Sequence, residues 1–299
     1  MKYALYAGCT VLGRGRNYEM AVREIAKVLG IEFVDLADFE CCGFPIKSAH
    51  YETFLLMAAR NILAAEQRGL DICTLCSACT SSLTEVNKHL IENFDEKTRI
   101  IATFRKQGIS CRMGRNIEVK HLTKIIYEDI GTDEIEGLIK RKLSNLNVAP
   151  HYGCHYLKPT NIYKHPEDPE NPHSLDELIK VTGANSINYN EKMRCCGAGL
   201  LAINEDLAYS VARPKLQELS KNSADAMVLM CPFCSVMYDD NQRKMEQKFQ
   251  EKYNLPVLYY PQLLGLALGI DEKLLGLRMN RVSTKALLEK IKTEAISKD

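Results

Sequence analysis

Short apolar runs alternate with longer amphipathic segments along this chain, and the alternation is regular enough to predict its elements. The predicted strands are 3–7, 31–36 and 71–75. The predicted helices are 19–29, ended by Gly30, and 50–68, ended by Gly69. A capping-box pattern over Ser82, Leu83, Thr84 and Glu85 predicts the start of the next helix. Strands that alternate with helices over short connections indicate an α/β protein with a parallel sheet.

The cysteine pattern of the first half of the chain returns in the second half. The first copy contains Gly8-Cys9, Cys41-Cys42-Gly43 and Cys76-Ser77-Ala78-Cys79, and the second contains Gly153-Cys154, Cys195-Cys196-Gly197 and Cys231-Pro232-Phe233-Cys234. A proline-rich stretch at 158–172 lengthens the second copy and is interpreted as a surface insertion. Because glycines repeat together with the cysteines, the pattern predicts a duplication.

Each copy closes with a strand-to-helix pattern of equal length, at 119–131 and 257–269, that ends in a glycine suited to a helix C-terminus. The predicted domains are 1–145 and 146–270, followed by an extension at 271–299. The expected fold is α/β, with two duplicated parallel-sheet, Rossmann-like domains related by a pseudo-twofold axis. Ligands bind at the carboxyl ends of parallel strands, where Cys9, Cys76, Cys154 and Cys231 are expected to lie.

Composition narrows the class of protein further. The chain has 299 residues, 12 of them cysteine, and a formal net charge of +1. A net charge near zero excludes the strongly basic surface that is typical of nucleic-acid binders. The best candidate for a membrane span, 263–270, is far shorter than the ~18 apolar residues required, and the apolar N-terminus is too short for a signal peptide. We therefore expect a cytoplasmic protein without a transmembrane segment, whose thiols stay reduced.

Disulfides and zinc are the simpler explanations for five repeated cysteines. Disulfides are disfavoured because an odd set cannot pair off and a bridge between adjacent cysteines is strained. Tetrahedral zinc remains an alternative, since Cys-x-x-Cys is a common half-site, although four ligands leave one thiolate per copy unused. In that case the chain would be a zinc-stabilised assembly subunit rather than an enzyme.

Iron–sulfur chemistry fits the repeated set better. Cys73, Cys76 and Cys79 have the spacing that begins a ferredoxin cubane motif, but its fourth cysteine is missing and Val228 stands in place of Cys73 in the second copy. Cys73 is therefore interpreted as a buried thiol on a strand, and Cys111, which has no counterpart, as a bystander. Five soft thiolates in each copy suit a polynuclear iron–sulfur centre with a larger ligand demand than a cubane.

Two copies of the C…CCG…CxxC pattern, with HYGCH around Cys154, RCCGAG around Cys195 and CPFCSVMYD around Cys231, resemble the B subunit of the CoB–CoM heterodisulfide reductases over essentially the whole chain. The resemblance implies two noncubane [4Fe-4S] clusters, one per domain, in the crevice between the domains. It assigns five cysteine ligands to each cluster: Cys9, Cys41, Cys42, Cys76 and Cys79 to one, and Cys154, Cys195, Cys196, Cys231 and Cys234 to the other.

The resemblance also implies an activity in methanogenic energy metabolism: reduction of the CoM-S-S-CoB disulfide to the thiols of coenzyme M and coenzyme B. Because that substrate is anionic, Lys47, Lys158 and Arg194 are candidate substrate-binding residues. No side-chain acid or base is evident from the sequence. Protons are expected from water or from His151 or His155, which flank Cys154.

The chain contains no flavin or nicotinamide motif, so its electrons must come from another protein. The resemblance implies a flavin-containing, electron-bifurcating A subunit, fed by a hydrogenase or formate dehydrogenase, together with a small iron–sulfur C subunit. The basic extension 271–299 is a candidate partner interface. An alternative within the same cysteine-rich domain class is an electron-transfer subunit of a quinone-linked or sulfur-metabolising oxidoreductase.

Overall fold

The computed structural model describes residues 1–110 and 114–296. It contains two four-stranded, entirely parallel sheets. The first has the order β2-β1-β3-β4 and the second the order β6-β5-β7-β8. The strands are β1 (Lys2–Tyr6), β2 (Glu32–Val34), β3 (Asp71–Thr74), β4 (Val119–His121), β5 (Asn147–His151), β6 (Asn185–Ser186), β7 (Ala226–Leu229) and β8 (Val257–Tyr259). The α/β prediction and the duplication are confirmed.

The helices alternate with these strands. In the first half they are α1 (Cys9–Arg14), α2 (Arg16–Val28), α3 (Tyr51–Glu66), α4 (Ser77–Glu92), α5 (Phe94–Lys106), α6 (Leu122–Lys124) and α7 (Thr132–Leu138). In the second half they are α8 (Cys154–Leu157), α9 (Ser174–Val181), α10 (Glu205–Lys221), α11 (Pro232–Ser235), α12 (Gln242–Phe249), α13 (Tyr260–Ala267) and α14 (Lys285–Ile296). Single π-helical segments, Ile125–Ile130 and Val236–Asp240, follow α6 and α11.

Two local predictions are wrong. The capping box at Ser82 does not begin a helix, because α4 begins at Ser77, with Cys76 as its extended N-cap residue. Ser82 lies buried inside that helix, where packing outweighs the preference of serine for a helix terminus. The helix predicted from residue 19 begins earlier, at Arg16, and a further helix, α1, precedes it from Cys9.

A helix from the later part of each half packs on the other half. Helix α13 of the second half packs against α2 of the first, and α7 of the first half packs against α9 of the second. The contact with α2 includes a stack between the rings of Tyr18 and Tyr259, whose centroids lie 4.0 Å apart. On the other side, the Tyr127 hydroxyl donates to Glu177 Oε2 at 2.7 Å. Each half therefore covers part of the core of the other.

The insertion and the extension both lie against the body of the protein. The insertion contacts the first half, where Lys88 Nζ donates to the Asn161 carbonyl at 2.7 Å. In the extension, α14 buries Leu287 and Ile291. The charged side of α14 is held by Lys290, whose Nζ lies 2.8 Å from Asp225 Oδ2. Cys111, interpreted as a bystander, lies outside the described residues.

No described helix is both long and apolar enough to cross a lipid bilayer. The most apolar candidate from the sequence, 263–270, falls largely in α13, which is eight residues long and buried against the first half.

Candidate metal centre

Each cysteine set is assembled from three chain segments at the carboxyl ends of two central strands. Cys9 and Cys154 begin short helices directly after β1 and β5. Cys76 and Cys231 follow β3 and β7 as N-cap residues of α4 and α11. The adjacent pairs, Cys41-Cys42 and Cys195-Cys196, lie on loops that precede α3 and α10. The expectation that strand ends carry the cysteines is confirmed, and all eleven described cysteines are free thiols.

The cysteines of each set differ in burial, and the order from exposed to buried is nearly the same in the two sets. The first cysteine of each set is exposed, and the leading cysteine of each pair is exposed or half-buried. The remaining three cysteines of each set are buried: Cys42, Cys76 and Cys79 in one, Cys196, Cys231 and Cys234 in the other. Each set therefore has a closed side within the protein and an open side that a ligand can approach.

The glycine after each cysteine pair is required by backbone geometry. Gly43 and Gly197 adopt φ angles of 79° and 73°, in the left-handed region that other L-residues rarely occupy. A Cβ at Gly43 would lie 3.2 Å from the backbone oxygen of Phe54, and one at Gly197 would lie 2.7 Å from that of Ala208. The glycines thus let the cysteine loop turn sharply while it rests on α3 or α10.

Gly197→Ala is expected to destabilise the protein by more than ~1 kcal/mol, because it adds left-handed strain to a backbone clash. Gly199→Ala is the matched control, since no heavy atom lies within 4 Å of a Cβ at that position. Urea denaturation of both variants measures the difference. Equal stabilities for the two variants would contradict the role given to Gly197.

The thiols of each set lie close enough to share protons. Cys234 Sγ is 3.4 Å from Cys196 Sγ. Hydrogen bonds from Cys41 and Cys79 lower the pKa of Cys42 to about 3, and those from Cys154 and Cys196 lower the pKa of Cys195 to about 2. The same sharing raises the pKa of Cys41 and Cys154. Thiols packed in this way cannot all ionise without a cation between them, so the donor set suits a metal centre.

The two sets also meet each other. The thiols of Cys76 and Cys231 interact across the boundary between the halves, and this interaction raises the pKa of Cys76 and lowers that of Cys231. Beside them a Cβ at Gly153 would lie 2.4 Å from Ser77 Oγ of the other half. The carbonyl preceding Cys231, that of Met230, accepts the Tyr18 hydroxyl at 3.1 Å and lies 3.2 Å from His121 Nε2, both from the first half. Side chains of one half therefore fix the position of the second cysteine set.

A crevice of about 1150 Å³ lies between the halves on the open side of the cysteine sets. Its walls come from both halves and include Cys9, Phe44, His155, Ala198 and Phe233. It is open to solvent at one end and apolar over much of its lining. Its size is that of a site for a small organic molecule.

The structure brings together only some of the candidate substrate-binding residues. Lys47 and His155 line the crevice. Lys47 is ion-paired with Glu85, and the ring of His155 packs edge-on against Phe44 with centroids 4.7 Å apart. Lys158 and Arg194 are not among the residues that line it, and they form surface ion pairs with Glu170 and Glu191.

Two further cations in the crevice, Arg14 and Lys244, were missed by the sequence analysis. Lys244 Nζ lies 3.1 Å from Glu205, and Arg14, about two-thirds exposed, is 3.8 Å from Asp240 Oδ2. Arg14 could have been found only by recognising α1, because that helix carries it from Cys9 along the crevice wall. Burial lowers the pKa of His155, so its ring is neutral at pH 7.

The family model described as "Cysteine-rich domain" matches the chain twice, at residues 3–84 and 148–239. These matches contain all ten cysteines of the two sets. The fold and the paired sites therefore define a duplicated cysteine-rich-domain protein.

Curated relatives narrow the class. The chain is 35% identical over 294 residues, 97% of each chain, to the B subunit of the ferredoxin:CoB-CoM heterodisulfide reductase of Methanosarcina mazei. It is 30% identical over 287 residues, 96% of this chain and 99% of the other, to the membrane anchor subunit of the 8-methylmenaquinol:fumarate reductase of Wolinella succinogenes. The chain belongs to the family of heterodisulfide reductase B subunits, whose members are named as parts of oxidoreductases.

A solved structure shares the fold. The crystal structure of a hypothetical protein from Helicobacter pylori superposes with a TM-score of 0.76 at 15% identity, covering 94% of this chain and 52% of that one. At that identity the likeness concerns the fold alone.

Proposed function

We propose that this chain is the catalytic subunit of a heterodisulfide reductase, reducing CoM-S-S-CoB to coenzyme M and coenzyme B in methanogenic energy metabolism. The observation that carries the proposal is the pair of five-cysteine sets, which meet at Cys76 and Cys231 beside one crevice. The overall reaction takes two electrons and two protons per disulfide and yields two thiols.

The ten cysteines would hold two noncubane [4Fe-4S] clusters, five ligands to each. The donor set fits such a group because all the ligand atoms are thiol sulfurs and three of each set are buried. When bound, each cluster supplies electrons singly, so that two clusters together match the demand of one disulfide. The buried cysteines would shield the clusters from water on one side, while the exposed Cys154 and Cys9, which lines the crevice, leave the other side accessible.

The chain's own residues would bind and orient the substrate. Arg14, Lys47 and Lys244 place three cations along a crevice whose other walls are largely apolar. Cations on these walls suit the sulfonate, carboxylate and phosphate of CoM-S-S-CoB, and the apolar surface suits its hydrocarbon chain. Because His155 is neutral at pH 7, we assign its role to orienting water at the open end, and we assign the two protons to that water.

Electrons would arrive from partner proteins. The partners that we propose are a flavin-containing, electron-bifurcating A subunit, linked to a hydrogenase or formate dehydrogenase, together with a small iron–sulfur C subunit. The extension would contribute to that contact through basic residues that α14 does not bury, including Lys285 and Lys292. We place the complex in the cytoplasm.

A second candidate function is supported by the relative from Wolinella succinogenes, whose match spans nearly both chains. That relative is named for a quinol-linked fumarate reductase. In this alternative, the chain keeps its clusters but passes electrons between other proteins without acting on a disulfide.

Metal analysis with EPR separates these functions. Anaerobically purified protein is expected to contain about eight iron atoms per chain, with a new EPR signal when coenzyme M is added under oxidising conditions. Ethanethiol is the control for coenzyme M, because it has the thiol without the sulfonate. It should give the same EPR signal only at a much higher concentration. Iron without any thiol-dependent signal would favour the electron-transfer function, and zinc in place of iron would favour an assembly role.

A further inference from the structure

Helices α3 and α10 carry different residues at one matching position. In both helices the side chain at this position contacts the loop before the cysteine pair. Asn61 and Lys215 each follow, by the same number of residues, the N-cap residue of α3 or α10, which is His50 or Asn204. Both side chains reach the loop before the cysteine pair: Asn61 accepts the Glu40 amide at 2.7 Å, and Lys215 Nζ donates to the Lys192 carbonyl at 2.9 Å. An amide therefore fills this position in the first half and a lysine fills it in the second.

Lys215 is fully buried, and the partners of its ammonium are unusual. Its Nζ lies 2.7 Å from His151 Nδ1, and no carboxylate of the described residues forms an ion pair with it. Another buried lysine, Lys97, has a conventional partner, Glu66, at 2.6 Å. Burial lowers the pKa of Lys215 to about 7, and the charges of Cys234 and Cys196 act in the opposite direction. The two groups that do most to favour the charged form of Lys215 are therefore sulfurs of the second cysteine set, ahead of the Glu191 carboxylate.

His151 connects this lysine to the second cysteine set. As an ammonium, Lys215 can only donate to Nδ1, and this places the ring proton of His151 on Nε2, which is buried and has no hydrogen-bond partner among the described residues. A ring nitrogen of His151 lies within 4.8 Å of the sulfurs of Cys196 and Cys234. An N–H donor without a protein acceptor, next to two thiols, is suited to a cluster sulfur or a ligand sulfur.

The first set has no equivalent arrangement in the described residues. Tyr6 ends β1 where His151 ends β5, but its hydroxyl donates to the Glu40 carbonyl and is not free for a sulfur. Asn61 is neutral and is occupied by backbone groups, including the Cys41 carbonyl at 3.3 Å. The group outside the cysteine set that acts on Cys42 is the neutral hydroxyl of Ser82, which is buried without a hydrogen-bond partner among the described residues, so the first set has a free neutral donor but no cation behind it.

We propose that Lys215, acting through His151, gives the centre in the second half a higher reduction potential than the centre in the first half. This inference rests on the proposed iron–sulfur function and goes beyond it by making the two centres unequal. Reduction adds negative charge, which a buried cation and an N–H donor stabilise at the second set and not at the first. Electrons entering the protein would then reduce the second centre before the first. Lys215 and His151 are positioning residues in this proposal, which assigns the ligand positions to the five cysteines alone.

A redox titration followed by EPR tests the proposal on the full chain in its iron-loaded form. Wild-type protein is expected to show two potentials, with the higher one missing in Cys196→Ala, which removes the second centre. Lys215→Met should lower the higher potential by about 59 mV, which is a tenfold change in the one-electron reduction equilibrium, and leave the lower potential unchanged. Lys215→Arg, which keeps the charge and a donor, should retain most of the difference.

Lys97→Met is the matched control, because it removes a lysine that is also buried but paired with Glu66. It should reduce stability and leave both potentials unchanged. If Lys215→Met does not load iron, His151→Tyr, which installs the residue found at this strand position in the first half, should narrow the gap between the potentials.

Three results would decide against parts of this account. Coincident potentials in wild-type protein would overturn the inequality of the centres, and an unchanged upper potential in iron-loaded Lys215→Met would overturn the role given to Lys215; both results would leave the proposed function intact. Wild-type protein without iron–sulfur signals would defeat the proposed function itself.

Discussion

Cys196→Ala is expected to lower the iron content from about eight to about four atoms per chain and to abolish disulfide reduction. Cys196 is buried, and its sulfur lies 3.4 Å from that of Cys234, so alanine at this position leaves the second set one thiolate short on its closed side. Loss of one centre leaves a single-electron site, which cannot supply both electrons of a disulfide. Iron analysis and reduction of CoM-S-S-CoB measure the two effects.

Cys73→Ala is the matched control for this prediction. Cys73 is also fully buried, but it lies on β3 and belongs to neither set. Its replacement should cost about 1–2 kcal/mol of stability through the cavity it leaves, and iron and activity should stay at the wild-type level. Loss of iron in Cys73→Ala together with normal iron in Cys196→Ala would refute the assignment of ligands.

The fragment 1–145, expressed alone, is expected not to fold. Without α13 and β8, the face of α2 that carries Tyr18, Val22 and Ile25 loses its cover. Exposing three large apolar side chains costs on the order of 5 kcal/mol, which is comparable to the whole stability of an ordinary domain. Binding of a hydrophobic dye and the loss of a cooperative unfolding transition would report this result.

Coexpression of 1–145 with 146–299 is the control, because it restores every contact between the halves in two chains. The pair should copurify and bind iron. Cooperative unfolding and a full set of four iron atoms in 1–145 alone would show that the first half is an independent domain, against this prediction.

The repeated cysteines and glycines made the two cysteine sets easier to predict from the sequence than the helices around them. Cysteine and glycine recur in register because the left-handed turn at Gly43 and Gly197 admits little else, so the pattern is visible in sequence. Helix α1 was missed because Cys9–Arg14 has a glycine and two β-branched residues, and its stability depends on tertiary contacts. The start of α4 was misplaced because serine and threonine cluster there, with Thr80 bonded to the Cys76 carbonyl inside the helix.

The exchange of helices could not be predicted from the repeat. Matching two copies shows which segments correspond, but not whether a helix packs on its own sheet or on the other one. The contacts that decide it, such as Tyr18 with Tyr259, join residues far apart in sequence that carry no shared motif. The cations of the crevice were equally hard to select, because Lys158 and Arg194 follow or precede cysteines as closely as Lys47 does.

Helix α13 packs on α2 of the other half, and Tyr127, in the segment that matches α13, bonds Glu177 of α9; two identical one-repeat chains would make such contacts in a swapped dimer. In such a dimer, every substitution appears at both centres at once, so symmetry forces them to be alike. Joining the repeats in one polypeptide keeps the shared core and removes that constraint. Asn61 and Lys215 occupy matching positions, and a single polypeptide can carry a different residue at each, which a symmetric dimer cannot.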